Sequence, residues 1–445
     1  MAVGHSPGSR STAICAPNTT THRRCARSRV TSGFCGARQT AGRSRAISGI
    51  PPGTDIPRTS GVPMAYDFAV GQTNPETFPV EALKAAAMRA IDREHDSFNR
   101  YPGAYGHEGL RRLMAERESD REGVSVDPDQ IVLTNGSMQA VTLAGQALME
   151  KPGDKVICEE FTYSGTISAY SGIGLDLEGI PLDEDGMRID ALRDRLARLA
   201  DADELPKFIY TLTTYQNPTG TVMPEKRKRE LIEVAAQYDL PVVEDNCYGD
   251  VHFEGEKVPS IYAMDESPNQ IYICSLSKIL GPGLRLGYLL AREPMLSHIA
   301  GQRFDAGSNT FAAAIAAEFY SGGVWDHCET ANPVLRRKRD LVCGGLAAHA
   351  DDLCVWSNPV GGLFVWVRLP DDVDIDRLTG IANDREVFFA PGSSFHVKRE
   401  TVPYIRLAFG HVPEADIIEG IPRLAQSIRE ARTSNEARAF TTLFD

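Results

Sequence analysis

From about residue 64 onward, short β-branched apolar runs alternate with helical patterns, and that alternation constrains the chain to a mostly parallel sheet covered by helices. The spacing predicts strands at Ile131–Thr134, Lys155–Cys158, Phe208–Thr213, Pro241–Glu244 and Gln270–Cys274. Helices are expected between them. One covers Ser137–Met149 after the turn Asn135-Gly136, and one covers Pro224–Tyr238, which opens with proline and carries a mixed charged face. In such sheets ligands bind beyond the carboxyl ends of the strands, so the chemistry is to be sought just after each strand.

The 445 residues suffice for two or three domains, and a composition 42% hydrophobic and 24% charged excludes collagen, coiled coil and wholesale disorder. No run approaches the roughly 18 apolar residues of a membrane-spanning helix. A net charge of -13 argues against a polyanion, so neither a membrane nor a nucleic-acid partner is expected. The charge is uneven: residues 1–60 hold nine Arg, no Lys and one acid, Asp55, which leaves -21 on the remainder. Residues 1–63 are rich in Ser, Thr, Gly and Pro without helical or strand period, and read as a disordered arm. Its Arg-rich, acid-poor character fits an organelle transit peptide, whereas Met64 offers a start that would make the arm a translation-start artefact. Nine Cys, an odd number with no C-x-x-C pair, suggest neither a disulfide framework nor a zinc ribbon. No metal is expected, and reduced thiols fit a cytoplasmic location.

Four strand ends carry unusual polar groups. Ile131–Thr134 is followed by Asn135-Gly136-Ser137, Phe208–Thr213 by Tyr215-Gln216-Asn217-Pro218, Pro241–Glu244 by Asp245-Asn246-Cys247-Tyr248, and Gln270–Cys274 by Ser275-Leu276-Ser277-Lys278. An Asp at the tip of an apolar strand needs a cationic or donor partner, because burying it alone is costly. Lys278 either pairs with that Asp or serves as an amine nucleophile. Arg285, in the Gly-rich turn Gly281-Pro282-Gly283-Leu284, forms a plausible phosphate cup together with Ser137, Ser275 and Ser277. One ligand demands an amine, a carboxylate for a ring nitrogen, donors for a phenolic oxygen and a phosphate cup at once: pyridoxal 5'-phosphate.

These residues resemble the fold-type I pyridoxal-phosphate enzymes of the class I/II aminotransferases. The likeness is nearest to the 2-aminoadipate and kynurenine aminotransferases and to the aminotransferase-like domain of the MocR regulators. It covers roughly residues 64–432 and rests on ordered motifs: YPGAYGHEGLR, TNGSMQAV, YQNPTG, VVEDNCY, SLSKILGPGLRLGY, GGLFVW, FFAPGSSF and YIRLAF. The resemblance implies Lys278 as the Schiff-base lysine and proton shuttle, and Asp245 as the partner of the pyridine nitrogen. It implies Asn217 and Tyr248 on the phenolic oxygen, Tyr163 stacked on the ring, and Gly136, Ser137, Met138, Ser275, Ser277 and Arg285 around the phosphate. Tyr101 would reach the phosphate of a neighbouring subunit, making a homodimer with shared sites. Arg406, with Asn217 and Gly71, would hold the substrate carboxylate.

The architecture so implied is an α/β fold: an N-terminal segment over 64–100, a large cofactor-binding domain over 101–325, a small C-terminal domain over 326–432 and a tail over 433–445. The activity implied is ping-pong transamination between an L-amino acid and a 2-oxo acid. Departures lie on the substrate side. Met138 stands where relatives carry Gln, Asn246 and Cys247 alter the Glu-Asp-Asp-x-Tyr motif, and Val70 replaces one of two glycines, leaving Gly71. Elimination, replacement or specialised biosynthetic chemistry on the same scaffold is the alternative. A MocR-like regulator would need a winged helix-turn-helix that residues 1–60 cannot build.

Overall fold

The computed structural model describes residues 65–434 and 440–444. The arm expected over residues 1–63 lies outside them, as does part of the 433–445 tail. A seven-stranded sheet forms the first layer system. Its strands are β1 (Ile131–Thr134), β2 (Lys155–Glu159), β3 (Asp176–Ile180), β4 (Phe208–Thr211), β5 (Val242–Asp245), β6 (Gln270–Ser275) and β7 (Gly287–Leu290). They lie in the order β1-β7-β6-β5-β4-β2-β3, with β7 antiparallel to both neighbours and the remaining pairs parallel.

Strand residues alternate between two apolar layers. Val156, Phe208, Tyr210, Val243, Ile271 and Leu289 face one, whereas Ile157, Ile209 and Val242 face another. Burial on both faces is why these strands read as continuous apolar runs rather than as an alternating pattern. The five expected strands form, with ends moved by one or two residues, and the helices after β1 and β4 run over Ser137–Leu148 and Glu225–Gln237. Pro224, expected to open the latter, is instead its N-cap with an extended backbone, so the helix starts one residue later at Glu225. β3 and β7 escaped the sequence reading. β3 carries Asp176, Glu178 and Gly179, and β7 has four residues right behind the Gly-rich turn.

A second sheet is antiparallel, with β8 (Val355–Trp356), β9 (Phe364–Arg368), β10 (Ala390–Pro391) and β11 (Tyr404–Ala408) in the order β8-β9-β11-β10. The helices Ile375–Asp384 and Glu414–Ala431 complete its core around Val365, Val367, Ile405 and Leu407. The long helix Asp326–His349 leads from the first lobe into the second. Tyr66–Asp67 pairs in parallel with Val387–Phe388, so the N-terminal segment starts out as part of the C-terminal lobe. The helix Val80–Glu94 then packs on Thr310–Tyr320 of the first lobe.

Successive residues of β5 show how the sheet presents its tip. Glu244 is buried and closed off: it accepts from Lys228 Nζ at 3.1 Å, the Ile261 N–H at 2.7 Å and the Thr213 hydroxyl. Asp245, one residue on, faces the other way. Lys228→Met, which would leave the Glu244 charge buried without its cation, is expected to cost ~3–5 kcal/mol of stability. Chemical denaturation checks this, and an unshifted midpoint would refute it.

Candidate active site

The carboxyl ends of β4, β5 and β6 lie side by side in the sheet, with β1 one strand further on beyond the antiparallel β7, and their loops bring most of the expected residues together. Asp245 closes β5 fully buried. Its Oδ2 accepts from the Tyr210 hydroxyl at 2.8 Å, while Oδ1 has no partner among the described residues. Burial raises its pKa above the usual carboxylate range, against the opposing pull of Cys247 and Tyr210. A carboxylate with one satisfied and one free oxygen, in a dry setting, fits a protonated ring nitrogen. Tyr210 was missed from sequence, although a tyrosine inside a buried strand calls for a hydroxyl partner.

Lys278 follows β6. Its Nζ donates to the Gly71 carbonyl at 2.6 Å and lies 5.6 Å from the centre of the Tyr248 ring. Burial lowers its pKa to about 8, and the nearby cations Arg406 and Arg285 act the same way while Cys247 and Asp245 oppose. An amine so depressed has an appreciable neutral fraction near neutral pH, as a nucleophile or base needs.

Arg406 comes from the other lobe, on β11. Its guanidinium lies against the rings of Phe364 and Phe395, 4.2 and 4.6 Å from their centres. Nη1 donates to Asn217 Oδ1 at 2.9 Å, Nη2 donates to the Ala69 carbonyl at 2.7 Å, and Nε is buried without a partner among the described residues. Burial lowers its pKa to about 10, so it carries its charge at neutral pH, and among the described residues no carboxylate is bonded to it. Asn217 also donates through Nδ2 to the Tyr248 hydroxyl at 3.4 Å. Gly71 leaves little room for a side chain, since a Cβ would lie 3.0 Å from the Phe364 ring, which would have to give way slightly.

The phosphate side gathers at the start of the Ser137–Leu148 helix. Gly136 has φ 85°, and a Cβ there would meet Arg285 Nη2 at 2.5 Å, so glycine lets the guanidinium lie against the helix start. Arg285 itself sits at φ 53° and donates through Nη2 to the Asn135 carbonyl at 3.2 Å. Ser275 Oγ accepts from the Ser277 N–H at 3.2 Å. Met138 turns its side chain into the core behind the helix, which leaves its backbone for the helix start. Free N–H groups of a first turn, an arginine and hydroxyls suit a dianion.

Tyr163 precedes the helix Ser164–Ile173, and its ring lies over Gly165, where a Cβ would come within 2.5 Å. Burial raises its pKa, and it interacts electrostatically with Cys247, Asp245 and Arg406, so it belongs to the same cluster. Tyr248 packs edge-on to Phe364 at 5.4 Å. Its loop is fixed two residues later by Asp250, which bonds Arg117 at 2.6 Å and Arg121 at 2.9 Å. Those cations outweigh burial and hold Asp250 at about 2. Tyr101 stands apart, 87% exposed, and is not brought into the cluster within this chain.

The loop Arg303–Asn309 is pinned beside the helix start. Asp305 accepts from Arg303 Nε at 2.9 Å, Gln139 Nε2 at 2.5 Å and Asn135 Nδ2 at 3.3 Å, which leaves Phe304 95% exposed.

The family model for aminotransferase class I and II matches residues 65–424. Aromatic-amino-acid aminotransferase 1 of Thermococcus litoralis is 36% identical over 366 residues, covering 82% of this chain and 88% of its own. Among solved structures, the multiple substrate aminotransferase of Thermococcus profundus is similar with a TM-score of 0.79 at 33% identity, over 83% of this chain and 92% of that one. The kynurenine aminotransferase of Pyrococcus horikoshii, solved in complex with PMP, gives 0.78 at 33% identity, over 82% and 91%.

The Lys278 environment is directly testable. In cofactor-free protein, its acylation by an amine reagent is expected to rise with pH through a midpoint near the depressed value of about 8. A midpoint in the ordinary lysine range, measured by peptide mass spectrometry, would contradict the effect of burial.

Proposed function

The chain belongs to the class I and II aminotransferases, and from that membership we propose the roles of its individual residues and its assembly. It is a fold-type I, pyridoxal 5'-phosphate-dependent aminotransferase acting on amino acids and 2-oxo acids. When bound, the cofactor supplies an aldehyde that takes up the amino group and a ring that withdraws electrons from the substrate Cα. The observation that carries the residue assignment is the free, buried Oδ1 of Asp245, electrostatically coupled to the depressed amine of Lys278.

Asp245 then keeps the ring nitrogen protonated, with Tyr210 holding the carboxylate in place. Ser137, Ser275, Ser277 and Arg285, with the backbone at Gly136 and Met138, take the phosphate. Tyr248 and Asn217 donate to the phenolic oxygen, and Tyr163 covers one ring face. Arg406 grips the α-carboxylate with Asn217 and Gly71 beside it, and the rings of Phe364 and Phe395 keep water from that ion pair. This grip fixes Cα so that its C–H bond faces Lys278 Nζ, which in its neutral form removes the proton and later returns one. The aromatic lining and the named relatives together favour aromatic L-amino acids as donors.

A homodimer is part of this reading. Tyr101 at 87% and Phe304 at 95% exposure are large rings that the described residues of one chain leave uncovered, and a second copy would bury them and add Tyr101 to its phosphate site. A cytoplasmic location is supported by the free thiols of Cys158, Cys247, Cys274 and Cys328. No helix among the described residues is long and apolar enough to cross a membrane.

The test is the absorption spectrum of the holoenzyme titrated with a panel of amino acids. Conversion to the aminated cofactor by aromatic donors is expected, and release of ammonia or a side-chain fragment instead would overturn the reading. Lys278→Ala should lose turnover altogether, and a variant still active would remove Lys278 from its role. Asp245→Ala should weaken cofactor binding and slow proton removal by about 10²–10⁴-fold, and an unchanged single-turnover rate would refute the pairing.

A further inference from the structure

Lys338, on the long helix Asp326–His349, is wholly buried and touches neither Lys278 nor Arg406. Its ammonium donates to Asn74 Oδ1 at 3.0 Å and the Gly410 carbonyl at 3.3 Å, and pairs with Glu76 at 3.0 Å. A dry ammonium persists only where acceptors take its protons, and here two different segments supply them. Gly410 follows β11, the strand of Arg406. Asn74 ends a short strap, residues 69–74, that crosses the active site, and Glu76 lies in the single 3-10 turn Pro75–Thr77 that follows it.

The strap is fixed at both ends. At the near end the Phe68 carbonyl accepts from the Ala408 N–H at 2.8 Å, and the Phe68 N–H donates to the Phe388 carbonyl at 2.8 Å. At the far end Asn74 is buried and holds three contacts: Oδ1 accepts from Lys338 and from the Glu76 N–H at 3.2 Å, and Nδ2 donates to Thr77 at 3.3 Å. Between these anchors the strap touches both functional cations. The Ala69 carbonyl accepts from Arg406 Nη2 at 2.7 Å, the Gly71 carbonyl from Lys278 Nζ at 2.6 Å, and the Thr73 hydroxyl donates to the Lys278 carbonyl at 3.1 Å. Clearance is small, since a Cβ on Gly410 would lie 2.5 Å from the Gln72 carbonyl.

We propose that Lys338 is a positioning residue for the transamination site: through Asn74 it holds the strap at the height where its carbonyls aim Arg406 and Lys278. The inference rests on the carboxylate-gripping role of Arg406 given above. With Lys338 neutralised, the far anchor is lost, the Ala69 and Gly71 carbonyls are no longer held in register, and the guanidinium loses its fixed aim. The chemical step then survives, and recognition of the substrate carboxylate suffers.

The experiment uses holoenzyme of Lys338→Met, Asn74→Leu, Asn74→Asp and Arg406→Lys, titrated with the amino donor found in the panel and followed by cofactor absorption. Hydrogen exchange of the strap peptide is measured alongside. Lys338→Met and Asn74→Leu are expected to raise the apparent Kd for the donor about tenfold, the loss of one charge-assisted bond, with the limiting rate nearly unchanged. Exchange should quicken in the strap and not in β5 or β6. Asn74→Asp keeps the acceptor for Lys338 and should behave like the unaltered protein. An unchanged Kd, or faster exchange spread over the whole chain, would overturn the proposal and leave Lys338 a stability residue. If Lys338→Met does not fold, the two Asn74 variants decide the matter alone. Should Arg406→Lys leave the Kd unchanged, the carboxylate reading fails instead, whatever the strap does.

Discussion

The cleft between the tips of the parallel strands and β11 holds buried ionisable groups that the described residues leave incompletely partnered, and the rest of the structure is arranged to tolerate this. Among the described residues, Asp245 has one oxygen satisfied by Tyr210 and one unpaired, and Arg406 uses Nη1 and Nη2 while its Nε is buried without a partner. Burying such groups costs free energy that a hydrophobic residue in their place would not. The neighbouring Glu244 shows the opposite solution on the same strand, with a lysine, a backbone N–H and a hydroxyl closing it off. The sheet thus carries one carboxylate built for stability and one built for a ligand, on opposite faces.

The second tier explains how those groups keep their places. Asp250, held down to about 2 by Arg117 and Arg121, fastens the loop of Tyr248 to the helix Glu108–Glu122. Asp305 fastens the Arg303–Asn309 loop to the start of the Ser137–Leu148 helix through Gln139 and Asn135. The rings of Phe364 and Phe395 both pack on the Arg406 guanidinium. Each device lowers the freedom of a group whose charge would otherwise seek water.

Much of this was legible in the sequence. Five of the seven sheet strands declare themselves as apolar runs, because strands buried on both faces need no polar alternation. β3 escaped because Asp176, Glu178 and Gly179 break the run, and β7 because a Gly-rich turn precedes it. Site residues were readable wherever a local motif ends a strand, as in VVEDNCY or SLSK. What the sequence hides is non-local: that Tyr210 reaches Asp245, that Ala69 and Gly71 offer carbonyls to Arg406 and Lys278, and that Lys338 anchors Asn74 from 264 positions away. Backbone carbonyls leave no residue-type signature, and a buried lysine on a helix resembles any other until its acceptors are seen.

The pairing of Tyr66–Asp67 with Val387–Phe388 means that the chain passes between the two lobes twice: once along the strap, and once along the helix Asp326–His349. Those two crossings touch each other where Asn74, at the end of the strap, accepts from Lys338 Nζ on the helix at 3.0 Å, so both covalent connections between the lobes are tied together at one buried contact.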